Sequence, residues 1–321
     1  MCMRYILAFV VGSFLCACNH PTKQTANKDK NAIQPTIYAT PAGDKIVFLE
    51  DYYKAYYKAM KANYANRDEI YEEQVHEPIF NNYFTKSEYS QLVGSKLGTP
   101  IKDTTLLEKY ISAVIYNRLE MEKIITSALA DCRKYLENDS ITIYILPSNQ
   151  DVYMVTDGMG GVSGLTAGSK QIILTINPAI DKWKEMLSYN IAHEFNHTYW
   201  TKMDINKTPW NMLTYLVFEG RADSYAHLIY PNTVCPWTKT LPADEEEALW
   251  KRIKSQLDNT SIAFQYSVMF GVRNEFPYWG GYTLGYHIVQ SALKNHPGLT
   301  PEEWTNLSPE KMLAMSDYIS K

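Results

Sequence analysis

The chain has 321 residues, 45% of them hydrophobic and 21% charged, with a formal net charge of -4 at pH 7. That length suits one large domain or two modest ones with a substantial core, and the composition is that of a globular protein. The acidic balance leaves no basic footprint for nucleic acid, and the 25 tyrosines, spread along the chain, read mostly as half-buried surface residues rather than a stacking platform.

Residues 1–18, MCMRYILAFVVGSFLCAC, place Arg4 before an apolar run from Tyr5 to Leu15, with small residues after it. The run is too short to span a bilayer, so 1–17 reads as a cleaved signal peptide. Its end, Leu15-Cys16-Ala17-Cys18, resembles the lipobox of bacterial lipoproteins, which implies acylation of Cys18. An ordinary secretory signal with an incidental cysteine is the alternative. Residues 18–44, polar at first and without periodicity, are expected to form the lipidated cysteine and a flexible tether. Such an anchor would hold the folded part close to a membrane. Asn19 stands where enteric inner-membrane lipoproteins carry Asp, which by analogy points to the outer membrane or cell surface. The mature chain would keep two further cysteines, Cys132 and Cys235, either paired or as buried thiols.

Ile46, Leu49, Tyr53, Tyr56, Tyr57 and Met60 recur at three- and four-residue spacing, so a helical stretch is expected from Lys45 to about Phe84. A second helix is expected from about Thr104 to Glu137, capped by Asp103 or Thr104, with Leu107, Ile111, Val114, Ile115, Leu119 and Ile124 as its buried stripe. Residues 45–138 thus read as an N-terminal helical part. The texture then changes. ITIYIL (141–146) and QIILTI (171–176) are β-branched runs that stop at Pro147 and Asn177-Pro178. Between them, DGMGGVSGLTAGS (157–169) is too glycine-rich for a helix and lacks the Gly-Lys-Ser/Thr ending of a phosphate loop. It reads as an edge strand to which an extended peptide adds itself, with Gly161, Val162, Ser163 and Gly164 in contact. Helices are expected again at about 181–201, 209–229, 244–258, 261–272, 281–295 and 309–319. Helices, a small mixed sheet, then helices indicate the α+β class, mostly helical, with 139–321 as the domain that carries the chemistry.

That chemistry centres on IAHEFNHTYW (191–200). His193 and His197 are one helical turn apart and can reach one ion from one face. Glu194 projects about 100° around the axis from His193, where it can hold a water bound to that ion. Zinc suits two imidazole nitrogens. The His and Glu content gives a chance HExxH roughly 0.01 times per chain of this length. A catalytic zinc needs a third protein ligand and an open fourth position. LVFEGRADSYA (216–226) offers Glu219 on another helix, and four residues on Asp223 to accept the distal N–H of a ligand histidine; Arg221 should face away. A donor for the developing oxyanion is also required. WGGYTLGYHIV (279–289) supplies Tyr282, Tyr286 and His287 as candidates, with glycine pairs permitting close approach of backbone or substrate. A metzincin would need Gly at 200 and His at 203, where Trp200 and Met203 stand.

HExxH followed by ExxxD at this spacing resembles the gluzincin metallopeptidases, the thermolysin-like clan. That resemblance implies a zincin-like fold with Glu219 as third ligand and Asp223 behind a histidine. The succession GVSGLTAGSKQIILTINP, HEFNHTYW, FEGRADSYA, GGYTLGYHIV resembles the bacterial predicted zinc-dependent proteases, a largely uncharacterised family, over about residues 140–295. The expectation is a zinc-dependent peptidase of the cell envelope acting on a peptide or protein. His193, His197 and Glu219 would bind Zn2+, and Glu194 would activate water. A surface binding or assembly lipoprotein with a structural or vestigial zinc site is the alternative, and a zinc hydrolase of non-peptide amides a third. The motifs specify a zinc site, not a substrate.

Overall fold

A computed structural model describes residues 33–149, 151, 156–204, 208–273 and 275–320. The expected signal peptide and the candidate acylation site Cys18 lie outside these residues.

Among the described residues, five short strands form one mixed sheet: β1 (Thr36–Ala39), β2 (Lys45–Phe48), β3 (Thr142–Pro147), β4 (Val162–Gly168) and β5 (Gln171–Ile176), in the order β1-β2-β3-β5-β4. The inner strands β2, β3 and β5 run parallel, and the outer strands β1 and β4 are antiparallel to their neighbours. The glycine-rich segment is thus an outer strand, as expected. The N-terminal elements differ from expectation. Residues 36–39, read as tether, are a strand. The helix expected from Lys45 begins at Glu50, because Lys45–Phe48 pairs with β3 and alternates with period two. The sheet therefore crosses the boundary expected between 138 and 139.

Alternation sorts the sheet's side chains onto two faces. Ile46, Phe48, Ile143, Ile145, Val162, Ile172, Leu174 and Ile176 join one apolar cluster. Val47, Tyr144, Leu146, Ala167 and Ile173 join another. The second face is covered by α1 (Glu50–Ala62), α2 (Arg67–Tyr71), α3 (Glu77–Tyr83) and α4 (Ser90–Leu97). The long α5 (Thr104–Cys132) serves both clusters, with Leu107 and Ile111 in one and Val114 to Cys132 in the other. Asp103 caps it, accepting from the Thr105 and Leu106 amides at 2.8 and 2.9 Å. Its fully buried stripe continues from Val114 through Met121, Ile125 and Ala128; Ile124 is half-buried against the same cluster, and Leu119 is 63% exposed. Helical phase decides this: three- and four-residue steps from Val114 pass Arg118, paired with buried Glu50, and reach Met121.

The first face is covered by α6 (Trp183–Asp204) and α7 (Met212–Ile229), followed by α8 (Ala243–Ile253), α9 (Ile262–Phe270), α10 (Gly280–Asn295), α11 (Pro301–Thr305) and α12 (Pro309–Ala314). Every residue from Ile191 to Trp200 is buried, so α6 is a central helix enclosed on all sides. Eleven of the described tyrosines are buried, and the reading as half-buried surface residues does not extend to these. Tyr56, Tyr71 and Tyr225 donate to the carbonyls of Ile101, Leu97 and Cys132 at 2.8, 2.8 and 2.6 Å. Burial of the ring is thereby compatible with a satisfied hydroxyl. Cys132 and Cys235 are both buried free thiols. No helix among the described residues is long and apolar enough to cross a membrane.

Candidate metal centre

Buried polar side chains on a central helix need partners, and those of α6 find them on three other elements. Asn196 donates to Thr305 at 3.1 Å. His193 and His197 point toward α7, where Glu219 meets them. His193 Nε2, His197 Nε2 and Glu219 Oε2 stand 3.1, 3.3 and 3.5 Å from one another. Four ligands about 2.0–2.1 Å from a tetrahedral zinc stand roughly 3.3 Å apart, so the triangle has the edge length that this ion requires.

Its electrostatics ask for a cation. His193 Nδ1 lies 2.9 Å from Asp223 Oδ1, so a neutral His193 that donates there turns a bare Nε2 lone pair on the triangle's centre. Asp223 also accepts from Trp237 Nε1 at 3.0 Å and from the Tyr189 hydroxyl at 3.2 Å. Burial disfavours the His193 imidazolium, but Asp223, Glu219 and Glu194 outweigh it and hold its pKa well above the ordinary value. Burial likewise works to raise the Glu219 carboxyl, yet the two imidazoles pull it down to about 2. Without metal, the positive charge that these carboxylates demand is a proton, which a metal ion displaces. His197 lies flat on Phe218, with ring centroids 3.8 Å apart, and its buried Nδ1 has no hydrogen-bond partner among the described residues.

Glu194 turns to β4. Thr166 holds its Oε2 at 2.6 Å, and Gly164 passes so close that a Cβ there would overlap the carboxylate. Gly161, at φ 91°, makes the turn into β4. Val162 faces the core, so only its backbone is available to a ligand, while Ser163 points to the opposite face of the sheet.

The three oxyanion candidates separate. Tyr282 lies within electrostatic reach of Glu219. Burial, then Glu219, Tyr215, Asp223 and Glu194, push its pKa well up, so it stays a hydroxyl donor. Tyr286 packs edge-on against His227, ring centroids 6.1 Å apart, and burial, then Asp223 and Cys235, push its pKa up to about 12. His287 points elsewhere, its Nδ1 2.7 Å from Glu246. The glycines here serve helix packing rather than substrate: Gly220 on α7 and Gly285 on α10 meet so closely that a Cβ on Gly220 would overlap the Gly285 carbonyl. Arg221 points away from the triangle, to the Leu307 carbonyl. Thr166, Trp237 and Tyr189 were not singled out by sequence. Thr166 alone carried a signal, its period-two spacing from Gly164.

The family described as "Predicted Zn-dependent protease (DUF2268)" matches residues 121–314, which include every residue of this centre. The chain belongs to this family. It is also 26% identical over 215 residues to the uncharacterised protein YjfC of Bacillus subtilis (strain 168), an alignment covering 60% of this chain and 69% of that protein. No solved structure matches. The family name implies zinc dependence, and the donor set of this predicted Zn-dependent protease, two imidazoles and a carboxylate, is one that zinc takes.

Proposed function

We propose that the protein is a zinc peptidase of gluzincin type with a zincin-like catalytic unit, and that it hydrolyses peptide bonds at the cell envelope. The observation that carries this reading is the metal-ligand triangle beside a buried carboxylate, Glu194, that is not one of its corners. A purely structural site would close its fourth position and has no use for that carboxylate. His193, His197 and Glu219 hold zinc, and bound zinc supplies Lewis acidity that polarises a carbonyl and lowers the pKa of water. Glu194 takes a proton from the attacking water and returns it to the leaving amine. The Tyr282 hydroxyl donates to the oxygen on which negative charge develops. The outer edge of β4 aligns an extended peptide by backbone hydrogen bonds. Acylation of Cys18 and a tether would keep the enzyme at the outer membrane or cell surface.

The test is zinc content and cleavage of a peptide library by wild type, Glu194→Gln and His193→Ala/His197→Ala. Near-stoichiometric zinc in the wild type, lost in the double variant, together with a fall in hydrolysis of roughly a hundredfold or more in Glu194→Gln at unchanged zinc, supports the reading. Full activity in Glu194→Gln would overturn the mechanism. Bound zinc with no hydrolysis of any peptide would favour a binding lipoprotein.

A further inference from the structure

On the face of the sheet opposite Glu194, a cavity of about 210 Å³ opens between α4, the start of β4 and the carboxyl ends of β3 and β5. Its walls include Tyr53, Lys96, Asn149, Thr156, Ser163 and Thr175, and no aspartate or glutamate among the described residues. Lys96 is half-buried, and its ammonium is the desolvated end: burial lowers its pKa to about 8, while Glu194 pulls it up. Its one hydrogen bond among the described residues is a long one, 3.4 Å to the Ser163 hydroxyl, which lies 3.4 Å from that of Thr156. No carboxylate among the described residues stands within ion-pair distance of it. A protein gains no stability by drawing a cation into such a place, and buried cations are ordinarily paired.

The geometry of β4 says what could pair it. Val162, Gly164 and Thr166 face α6, and Ser163 and Leu165 face the α1–α4 side. β4 is the outer strand. At its far end Ala167 is already capped by the Tyr89 amide, so the stretch before it is the part to which a peptide can add. An added strand follows the same alternation. Every second side chain then projects to the α1–α4 side, where it meets Lys96, while the intervening ones face Glu194 and the metal ligands.

We propose that this cavity is a carboxylate-binding subsite, in which Lys96 and the Ser163 and Thr156 hydroxyls receive a carboxylate of the bound chain, either an Asp or Glu side chain or its free C-terminus. The inference rests on the peptidase reading for the strand-like pose of the ligand. Lys96 comes from α4, outside the region matched by the family, so metal centre and subsite belong to different parts of the chain.

The experiment uses the full, zinc-loaded chain with Glu194→Gln, so that probes bind without being cut. One arm compares capped Ala/Ser hexapeptides carrying a single Glu, walked along the sequence, with their Gln counterparts. The other compares uncapped C-terminal acids with their amides. Calorimetry should show the carboxylate partner binding about tenfold tighter or more in one arm, as a charge-assisted hydrogen bond provides, and the arm identifies side chain or terminus. Adding Lys96→Ala should erase the difference and Lys96→Arg should keep most of it, both with unchanged zinc content and circular dichroism. Equal binding of acid and neutral probes in both arms, or a preference that survives Lys96→Ala, would overturn the subsite. If the preference is found but the enzyme with Glu194 intact cleaves neither these probes nor a peptide library, the peptidase reading falls and the subsite stands.

Discussion

The Thr166 hydroxyl stands 2.6 Å from Oε2 of Glu194 and 3.1 Å from the carbonyl oxygen of the same residue. The orientation of the carboxylate is thus set by a neighbouring strand rather than by the helix that carries it. Thr166→Val keeps the shape and removes the donor. A loss of roughly 10- to 100-fold in kcat is expected, with KM and zinc content little changed, and Thr166→Ser should restore most of it. Steady-state kinetics beside metal analysis would check this; an unaffected kcat in Thr166→Val would show that the hydroxyl does not position Glu194.

Gly164 imposes the complementary constraint. A Cβ there would stand 2.5 Å from Cγ and 2.7 Å from Cδ of Glu194. Gly164→Ala must displace the carboxylate, so activity should fall as far as in Glu194→Gln while the fold loses only about 1–3 kcal/mol. A denaturant midpoint measured with the activity separates the two effects.

Asp223 satisfies His193, Trp237 and Tyr189 at once. Asp223→Ala should weaken zinc binding by about 10- to 100-fold, read by competition with a chelator. It should also destabilise the metal-free protein by about 3–5 kcal/mol, because buried donors lose their acceptor. Unchanged zinc affinity would mean that His193 needs no fixed tautomer.

Lys96 makes a prediction about pH. Its pKa is about 8 in the folded chain against an ordinary 10.5. The unfolded chain therefore binds more protons between these values, and stability rises with pH across that window. Below pH 8 the full cost of the desolvated ammonium is present. Lys96→Met should then stabilise the protein at pH 7 by about 1–2 kcal/mol, allowing for the exposed part of the side chain, with the gain gone by pH 10.5. Urea titrations at pH 7 and 10.5 test it; equal differences at the two would count against a desolvated ammonium.

The residues of the candidate triangle, and Asp223 behind it, were legible because metal-ligating chemistry would fix their spacing within each helix: His193 to His197 on α6, and Glu219 to Asp223 on α7. The outer strand was legible from glycines spaced too densely for a helix to form across them. What stayed hidden depended on other elements. Lys45–Phe48 carries too few residues to reveal its period, and its pairing with β1 and β3 makes it a strand. Leu119 was misread because the four-residue steps from Leu107 through Ile111 and Ile115 each drift about 40° around the helix and carry position 119 off the buried face. Tyr286 and His287 sit within five residues of Tyr282, and only the packing of α10 on α7 brings Tyr282 within electrostatic reach of Glu219 while His287 pairs with Glu246. Lys96 belongs to no motif; it becomes notable only through the cavity around it.

Pairing Lys45 with Thr142 and Phe48 with Ile145 joins stretches about a hundred residues apart. A chain emerging in order cannot close this sheet until β3 has been made, and β2 must wait with its hydrogen-bonding groups unmet. Folding should accordingly be slow for a mostly helical protein, limited by a late, non-local closure rather than by helix formation. A fragment starting at residue 139 would leave one side of β3 bare, an invitation to pair with strands of other molecules. The two strands that contribute nothing to the chemistry thus act as guards of solubility, and trimming the chain to its matched region risks aggregation before any activity could be measured.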